Sequence, residues 1–74
     1  MEPPIKIDPE IMGGTPCFNG TRVPVEILFD LLRRGRTVEQ FLEDFPSVLR
    51  PQVDEILKLA SADVLRHALR IGAA

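Results

Sequence analysis

The sequence predicts a mainly α-helical fold in which three helices follow a short N-terminal β-hairpin. An apolar helical pattern starts after Pro24, a capping sequence occupies Thr37–Gln40, and a further amphipathic stretch follows Pro51. Only Ser47–Arg50 separate the second and third helices, a spacing typical of a helix-turn-helix unit. We therefore expect a three-helix domain of the helix-turn-helix type.

The hairpin is predicted from side-chain alternation and turn residues. Ile5–Asp8 alternates apolar and polar side chains, as a half-buried strand does. A second extended piece at Cys17–Phe18 or at Arg22–Val23 would complete the hairpin. The dipeptide Asn19-Gly20 is a strong turn former. We expect these pieces to form a small β and turn segment over residues 5–23.

The first helix is expected to place Pro24 at its first helical position and to end at Gly35. Six of the eight residues from Val25 to Leu32 are apolar. One stripe of a helix cannot hold all six. This helix therefore needs a second surface to bury, most simply on another copy of the chain.

The second helix is expected to start at Val38, because Thr37–Gln40 has the pattern of a capping box. Pro46 would end this helix, and Pro51 would open the third one. The predicted core stripe of the third helix is Val53, Ile56, Leu57, Ala60, Val64, and Ala68 or Leu69.

Some apolar residues of the first and third helices exceed what a single stripe can bury, so they are candidates for a dimer or partner interface. These residues are Ile27, Leu31, Leu59, Leu65 and Leu69.

Length and composition indicate one small soluble domain over residues 1–74, whose helical part covers 24–71. A chain of this length buries only about 60% of its unfolded surface, so oligomerisation is the expected source of added stability. The hydrophobic content of 45% points the same way. We find no signal-peptide pattern and no apolar run of ~20 residues, which predicts a cytoplasmic protein without membrane contact.

The sequence predicts neither an enzyme nor a cofactor or metal site. Cys17 is the only cysteine and is best interpreted as a small buried apolar residue. His67 has no second His or Cys one helical turn away, as a metal site would need. No acid, base and nucleophile converge. The net charge of −2 also disfavours nucleic acid as the main partner.

The most informative segment is 13–25, which concentrates glycine, proline and one arginine just before the first helix. We interpret it as a tightly turned structural motif, although a glycine nest for an anion is an alternative. Arg22 is expected to clamp backbone carbonyls of its own loop; the alternative is contact with a partner. The motif residues are Gly14, Pro16, Gly20, Thr21, Arg22 and Pro24.

A set of basic residues could meet phosphates of DNA. Three arginines within residues 33–36 exceed what helix capping needs, although dipole compensation and solubility explain part of them. The candidate DNA-binding residues are Arg33, Arg34, Arg36, Arg50 and Lys58.

The run Gly14-x-Pro16-x-x-x-Gly20-Thr21-Arg22-Val23-Pro24-Val25 resembles the hallmark of the domain of unknown function 433 family. The resemblance extends over about Ile5 to Ala60. Later pieces agree in order and spacing: Leu31-Leu32, Gly35, Thr37-Val38-Glu39, Phe41-Leu42 and Asp44-Phe45-Pro46.

This resemblance implies a homeodomain-like helix-turn-helix that is commonly dimeric. It also implies an antitoxin of a type II toxin–antitoxin pair, which neutralises a PIN-like ribonuclease toxin encoded beside it and represses their shared promoter through operator DNA. The chain departs from the family pattern at Leu49, where Thr or Ser often caps the third helix. Asp54 and Glu55 place acidic groups where base-contacting residues usually lie.

Other functions stay open at the level of sequence. One alternative is a stand-alone dimeric DNA-binding transcriptional regulator, and another is a scaffolding dimer. The tail 63–74 would either insert into a toxin, with Leu65, Leu69 and Ile71 as anchors, or pack across a partner protomer.

Overall fold

The computed structural model describes residues 2–70, which form a mainly helical unit with a small antiparallel β-hairpin. The expected class of three helices after a short hairpin is confirmed. Residue 71, the last of the expected helical part, and the end of the tail lie outside the described residues. The strands are β1 (Ile5–Lys6) and β2 (Cys17–Phe18), and the helices are α1 (Val25–Arg33), α2 (Val38–Asp44) and α3 (Arg50–Arg70).

Strand β2 has a backbone neighbour on each side. On one side Ile5 is paired with Phe18, and Lys6 with Cys17. On the other side the Phe18 N–H donates to the Val23 carbonyl at 3.0 Å, and an isolated bridge joins Cys17 to Pro24. Both extended pieces considered for the second strand are therefore used, one as the strand and the other as its neighbour.

The chain before β1 is held by Asn19. Its backbone N–H donates to the Pro4 carbonyl at 2.9 Å, and its side-chain amide donates to the Pro3 carbonyl at 2.9 Å. These two bonds fix the start of the described chain against the turn that follows β2.

Helix α1 starts one residue later than expected, because Pro24 is its N-cap and not its first helical residue. Pro24 has φ −62° and ψ 136°, so it stays extended and pairs with β2 while its carbonyl accepts from the Ile27 N–H at 3.1 Å. The end of α1 is as expected. Gly35 has φ 85°, and the Arg36 N–H returns to the Leu31 carbonyl at 3.0 Å, as in a Schellman motif.

The capping box of α2 is confirmed. The Gln40 N–H donates to Thr37 Oγ1 at 3.1 Å, and the Thr37 N–H donates to Gln40 Oε1 at 2.8 Å. Helix α2 ends at Asp44, before Phe45, since a residue that precedes proline avoids the helical region.

Helix α3 starts at Arg50, one residue earlier than expected from Pro51. Leu49 has no side-chain oxygen with which to cap this helix. Instead the Leu49 N–H donates to Gln52 Oε1 at 2.9 Å, which is half of a capping box supplied from inside the helix.

The core is built around two phenylalanines, Phe18 of β2 and Phe41 of α2. Their side chains are 0% and 1% exposed, and their ring centroids lie 5.7 Å apart. The ring of Phe45 lies tilted against that of Phe41, with centroids 5.1 Å apart. The remaining buried residues of this core are Val25, Leu28, Val48, Val53 and Ile56.

Two expectations about apolar surfaces need correction. Ile27 and Leu31 are half-buried and pack against the core, so the described α1 has no separate, free apolar face there. Val64 was expected on the core stripe of α3 but is 65% exposed. The seven-residue α2 is too short to cover this part of α3, and the half-buried core contacts of α3 extend to Leu57.

The second half of α3 therefore extends away from the domain. Twenty-one residues in α3 correspond to a helix about 31 Å long, and the longest extent of the molecule is 42 Å. We call residues 61–70 the α3 arm. No helix in residues 2–70 combines the length and the apolar character that crossing a membrane requires.

Met12 occupies a strained backbone position in the loop between the strands. Met12 and Gly13 have φ 51° and 64°, and the Gly14 N–H donates to the Ile11 carbonyl at 3.1 Å. This is the geometry of a type I′ turn, whose first central position favours asparagine or glycine. An ordinary side chain in the left-handed region costs roughly 1–2 kcal/mol.

We expect Met12→Asn to raise the free energy of unfolding by up to about 1 kcal/mol, because asparagine tolerates the left-handed region. Met12 is 51% exposed, so the change removes little packing. Urea denaturation measures the effect. Ile7→Asn is the control, since Ile7 is 66% exposed and does not have a positive φ. Equal effects of the two substitutions would contradict the strain argument.

Candidate functional site

The segment 13–25 is organised by Thr21. Thr21 Oγ1 donates to the Phe18 carbonyl at 2.9 Å and accepts from the Val23 N–H at 3.0 Å. The Thr21 N–H also donates to the Phe18 carbonyl at 3.0 Å, which closes the expected turn at Asn19-Gly20. Gly20 has φ 81°, as the third position of such a turn requires. Thr21 thus holds Phe18 in the core.

Arg22 does not act as the expected clamp. Its side chain is exposed and makes no hydrogen bond or ion pair with residues 2–70. The neighbouring Thr21 has already satisfied the local backbone groups. The signal that sequence reasoning missed is a threonine directly after a turn dipeptide, where a hydroxyl can bond backbone on both sides.

The other motif residues shape the backbone. Gly14 has φ 89° and lies against Pro9, whose Cα would be 3.9 Å from an added Cβ. The Pro16 carbonyl accepts from the Val25 N–H at 3.0 Å, which ties the motif to the first residue of α1. The motif is therefore a structural element that seats Phe18 and starts α1.

Three of the five basic candidates are engaged with acidic side chains. Arg33 pairs with Asp30 within α1. Arg36 reaches Asp44 at 3.2 Å, and Arg50 reaches Glu39 at 3.0 Å. Arg34 and Lys58 are exposed and make no ion pair within residues 2–70. The expected basic face is therefore interleaved with carboxylates.

Glu39 shows the electrostatic effect of this arrangement. A hydrogen bond from its own backbone N–H in the first turn of α2, and then the Arg50 guanidinium, lower the pKa of the Glu39 carboxyl. The carboxylate thus stays charged beside Arg50 and offsets its positive charge, which disfavours phosphate binding at this position.

The structure also places acidic side chains on the surface at the start of α3. Asp54 is exposed and Glu55 is half-buried, both within the first two turns of α3. In a helix-turn-helix these turns would face the DNA bases. Two carboxylates there repel the phosphate backbone.

The α3 arm exposes large apolar side chains. Val64 is 65% exposed, Leu65 63% and Leu69 78%, and Leu59 just before the arm is 49% exposed. Asp63 and Arg66 form an exposed ion pair at 3.2 Å. Contiguous exposed apolar residues are typical of a protein-interaction surface. Three of the five interface candidates, Leu59, Leu65 and Leu69, thus lie on one helix.

A groove of about 270 Å³ lies between the N-terminal segment and the start of α3. Gln52 forms part of its wall, and its side-chain amide donates to the Asn19 carbonyl at 2.9 Å. The carboxylates of Glu2 and Glu55 also line the groove. Its apolar lining comes from Pro3, Pro4, Leu49 and Pro51.

Within residues 2–70 no group of three or more His, Cys, Asp or Glu side chains could hold a metal ion. The described candidate surfaces are therefore the structural motif, the mixed-charge surface of α1 and α2, the groove, and the α3 arm.

Comparison with known proteins assigns most of the chain to a protein family. Residues 5–60 match the family of proteins of unknown function DUF433. The chain belongs to the DUF433 family. A relative named uncharacterized protein y4eO, from Sinorhizobium fredii (strain NBRC 101917 / NGR234), is 38% identical over 63 residues. The matched segment is 85% of this chain but 28% of that relative. No solved structure matches the chain.

The family match ends close to the last residue of α3 that packs against the core. The DUF433 match stops at Ala60, and the half-buried core contacts of α3 reach Leu57. The α3 arm thus follows the shared domain, and its exposed apolar side chains are not accounted for by folding of that domain.

We expect Thr21→Val to lower the free energy of unfolding by about 1–3 kcal/mol, because it removes both side-chain hydrogen bonds at nearly constant volume. Arg22→Ala removes no bond seen within residues 2–70 and should change stability by less than about 0.5 kcal/mol. Thermal and urea unfolding of the two variants measure the difference. A larger loss for Arg22→Ala than for Thr21→Val would contradict this assignment.

Proposed function

We propose that this DUF433 chain is the antitoxin component of a type II toxin–antitoxin pair, a cytoplasmic homodimer that binds and neutralises a PIN-like ribonuclease. Its three helices would form a homeodomain-like helix-turn-helix, with α2 and α3 as the two helices of the motif. The family resemblance supplies this function, and the α3 arm supplies the physical means of binding another protein.

The observation that carries the proposal is the exposure of Val64 and Leu65 at 65% and 63%. Leaving such side chains in water forgoes about 1.5–3 kcal/mol each that burial would contribute. Their neighbour Ala68 continues the same side of the helix one turn later. An apolar helix face of this kind binds in the groove of a partner protein.

Protein binding ranks above DNA binding on electrostatic grounds. Affinity for DNA comes mainly from Lys and Arg side chains that neutralise phosphates. Arg33, Arg36 and Arg50 already face carboxylates. Repression of the promoter would therefore rest on Arg34 and Lys58, and neutralisation of the toxin is the primary function.

Co-expression of the chain with a PIN-like ribonuclease encoded beside its gene tests this proposal. Stoichiometric co-purification with loss of RNA cleavage would support it. A ribonuclease that stays active and separate would overturn it. Retention of upstream DNA by the purified chain, with affinity that falls steeply with salt, would instead favour the stand-alone regulator.

We expect Leu65→Glu to weaken binding of the ribonuclease about tenfold or more, because a charged group would enter an apolar contact. Ile7→Glu is the matched control, since Ile7 is 66% exposed but lies in the loop after β1. RNA cleavage by a fixed amount of ribonuclease, titrated with each variant, measures neutralisation. If Leu65→Glu neutralises as well as Ile7→Glu, the arm is not the binding surface.

A further inference from the structure

Helix α3 carries a second regular stripe besides the one that faces the core. Its members recur at alternating intervals of three and four residues, the spacing of a heptad seam. The stripe runs for about 25 Å along the helix. We call these residues the α3 seam: Gln52, Glu55, Leu59, Ala62, Arg66 and Leu69.

The seam lies away from the core. At 3.6 residues per turn it is about 120° around the helix from the side that buries Val53 and Ile56. All seam residues are half-buried or exposed, and Leu59 at the middle is 49% exposed. The exposed part of the seam, from Leu59 to Leu69, is therefore available to a second helix.

The charges of the seam are arranged with opposite signs at its two ends. Glu55 lies on the domain side of Leu59, and Arg66 lies beyond Ala62 on the arm. Glu55 makes no ion pair within residues 2–70. Arg66 pairs only with Asp63 there, and because both side chains are more than 70% exposed that pair is weak and readily exchanged.

We infer that a second copy of this chain covers the seam, with the two α3 helices antiparallel about a twofold axis between Ala60 and Ser61. This axis brings Glu55 opposite Arg66 of the second copy, and Leu59 opposite the small Ala62. By symmetry each contact occurs twice, as in an isologous interface. The opposite charges select this register.

The groove at the start of α3 receives the end of the second arm. In the same register Leu69 of the second copy falls beside Gln52, which lines the groove. The groove offers the apolar side chains of Pro3, Pro4 and Leu49 to that leucine. Its carboxylates, Glu2 and Glu55, lie near the arriving basic arm.

A parallel pairing of the same seam is disfavoured. It would place Glu55 against Glu55 and Arg66 against Arg66, and like charges that face each other across an interface repel. It would also leave Leu69 far from the groove. The seam thus specifies both the partner and its orientation.

This inference deepens the dimeric state contained in the proposed function but does not depend on the ribonuclease. Val64 lies about 170° around α3 from the seam, whereas Leu65 borders it, one turn from Ala62 and from Leu69. Sedimentation velocity of the native chain measures self-association with no ribonuclease present. A failure of self-association would leave neutralisation testable, and a failure of neutralisation would leave self-association testable.

A charge exchange in the full chain tests the register. We expect Glu55→Arg and Arg66→Glu each to raise the dimer dissociation constant more than about tenfold, since each creates two like-charge contacts. The double variant Glu55→Arg/Arg66→Glu restores opposite charges and should recover dimerisation to within a few fold of the native chain. Sedimentation velocity over a range of protein concentrations measures the dissociation constants.

The controls separate loss of the interface from loss of the fold. Glu43→Arg reverses an exposed acid on α2 that makes no ion pair within residues 2–70, and should leave the dimer intact. Far-UV circular dichroism checks the helix content of every variant. A monomeric native chain, or a double variant that dimerises no better than the single variants, would overturn the inference.

Discussion

The contact between Phe18 and Phe41 is the interaction on which the rest of the fold depends. Phe18 comes from the N-terminal ribbon and Phe41 from α2, and both are almost completely buried. The ribbon is therefore part of the core, since without Phe18 the helices would face a large cavity. Thr21 holds the carbonyl of Phe18, and Val23 accepts its N–H. The glycine and proline motif thus stabilises the helices by placing one aromatic ring.

Features with a local cause could be predicted from the sequence. The capping box at Thr37, the glycine end of α1 and the turn at Asn19-Gly20 each depend on residues that are neighbours in the chain. Pro24 precedes α1 instead of occupying its first helical position, because its pairing with Cys17 keeps it extended. That pairing is not visible in the local sequence. The role expected of Arg22, bonding the backbone of its own loop, is performed by the smaller Thr21.

Features that depend on contacts between residues far apart in the sequence could not be predicted from local patterns. The apolar period of α3 continues to Val64, but the core stops earlier because α2 has only seven residues to cover it. Composition shows the number of arginines but not their partners. The pairs of Arg36 with Asp44 and of Arg50 with Glu39 join residues 8 and 11 positions apart. They reduce the basic character of the candidate DNA-binding residues.

The sides and the length of α3 would let one helix serve folding together with the inferred self-association and the proposed binding of a ribonuclease. Val53 and Ile56 face the core, the seam centred on Leu59 and Ala62 lies about 120° around the helix, and Val64 continues the core side beyond the point where the core ends. Because Val64 lies beyond the DUF433 match and is 65% exposed, its substitution should cost the folded domain little stability. Substitutions in the seam are constrained differently, since each one changes two symmetric contacts of the inferred dimer at once. In the proposed antitoxin, specificity for the ribonuclease would therefore be free to vary at Val64 while the seam keeps the charge pattern of the inferred dimer.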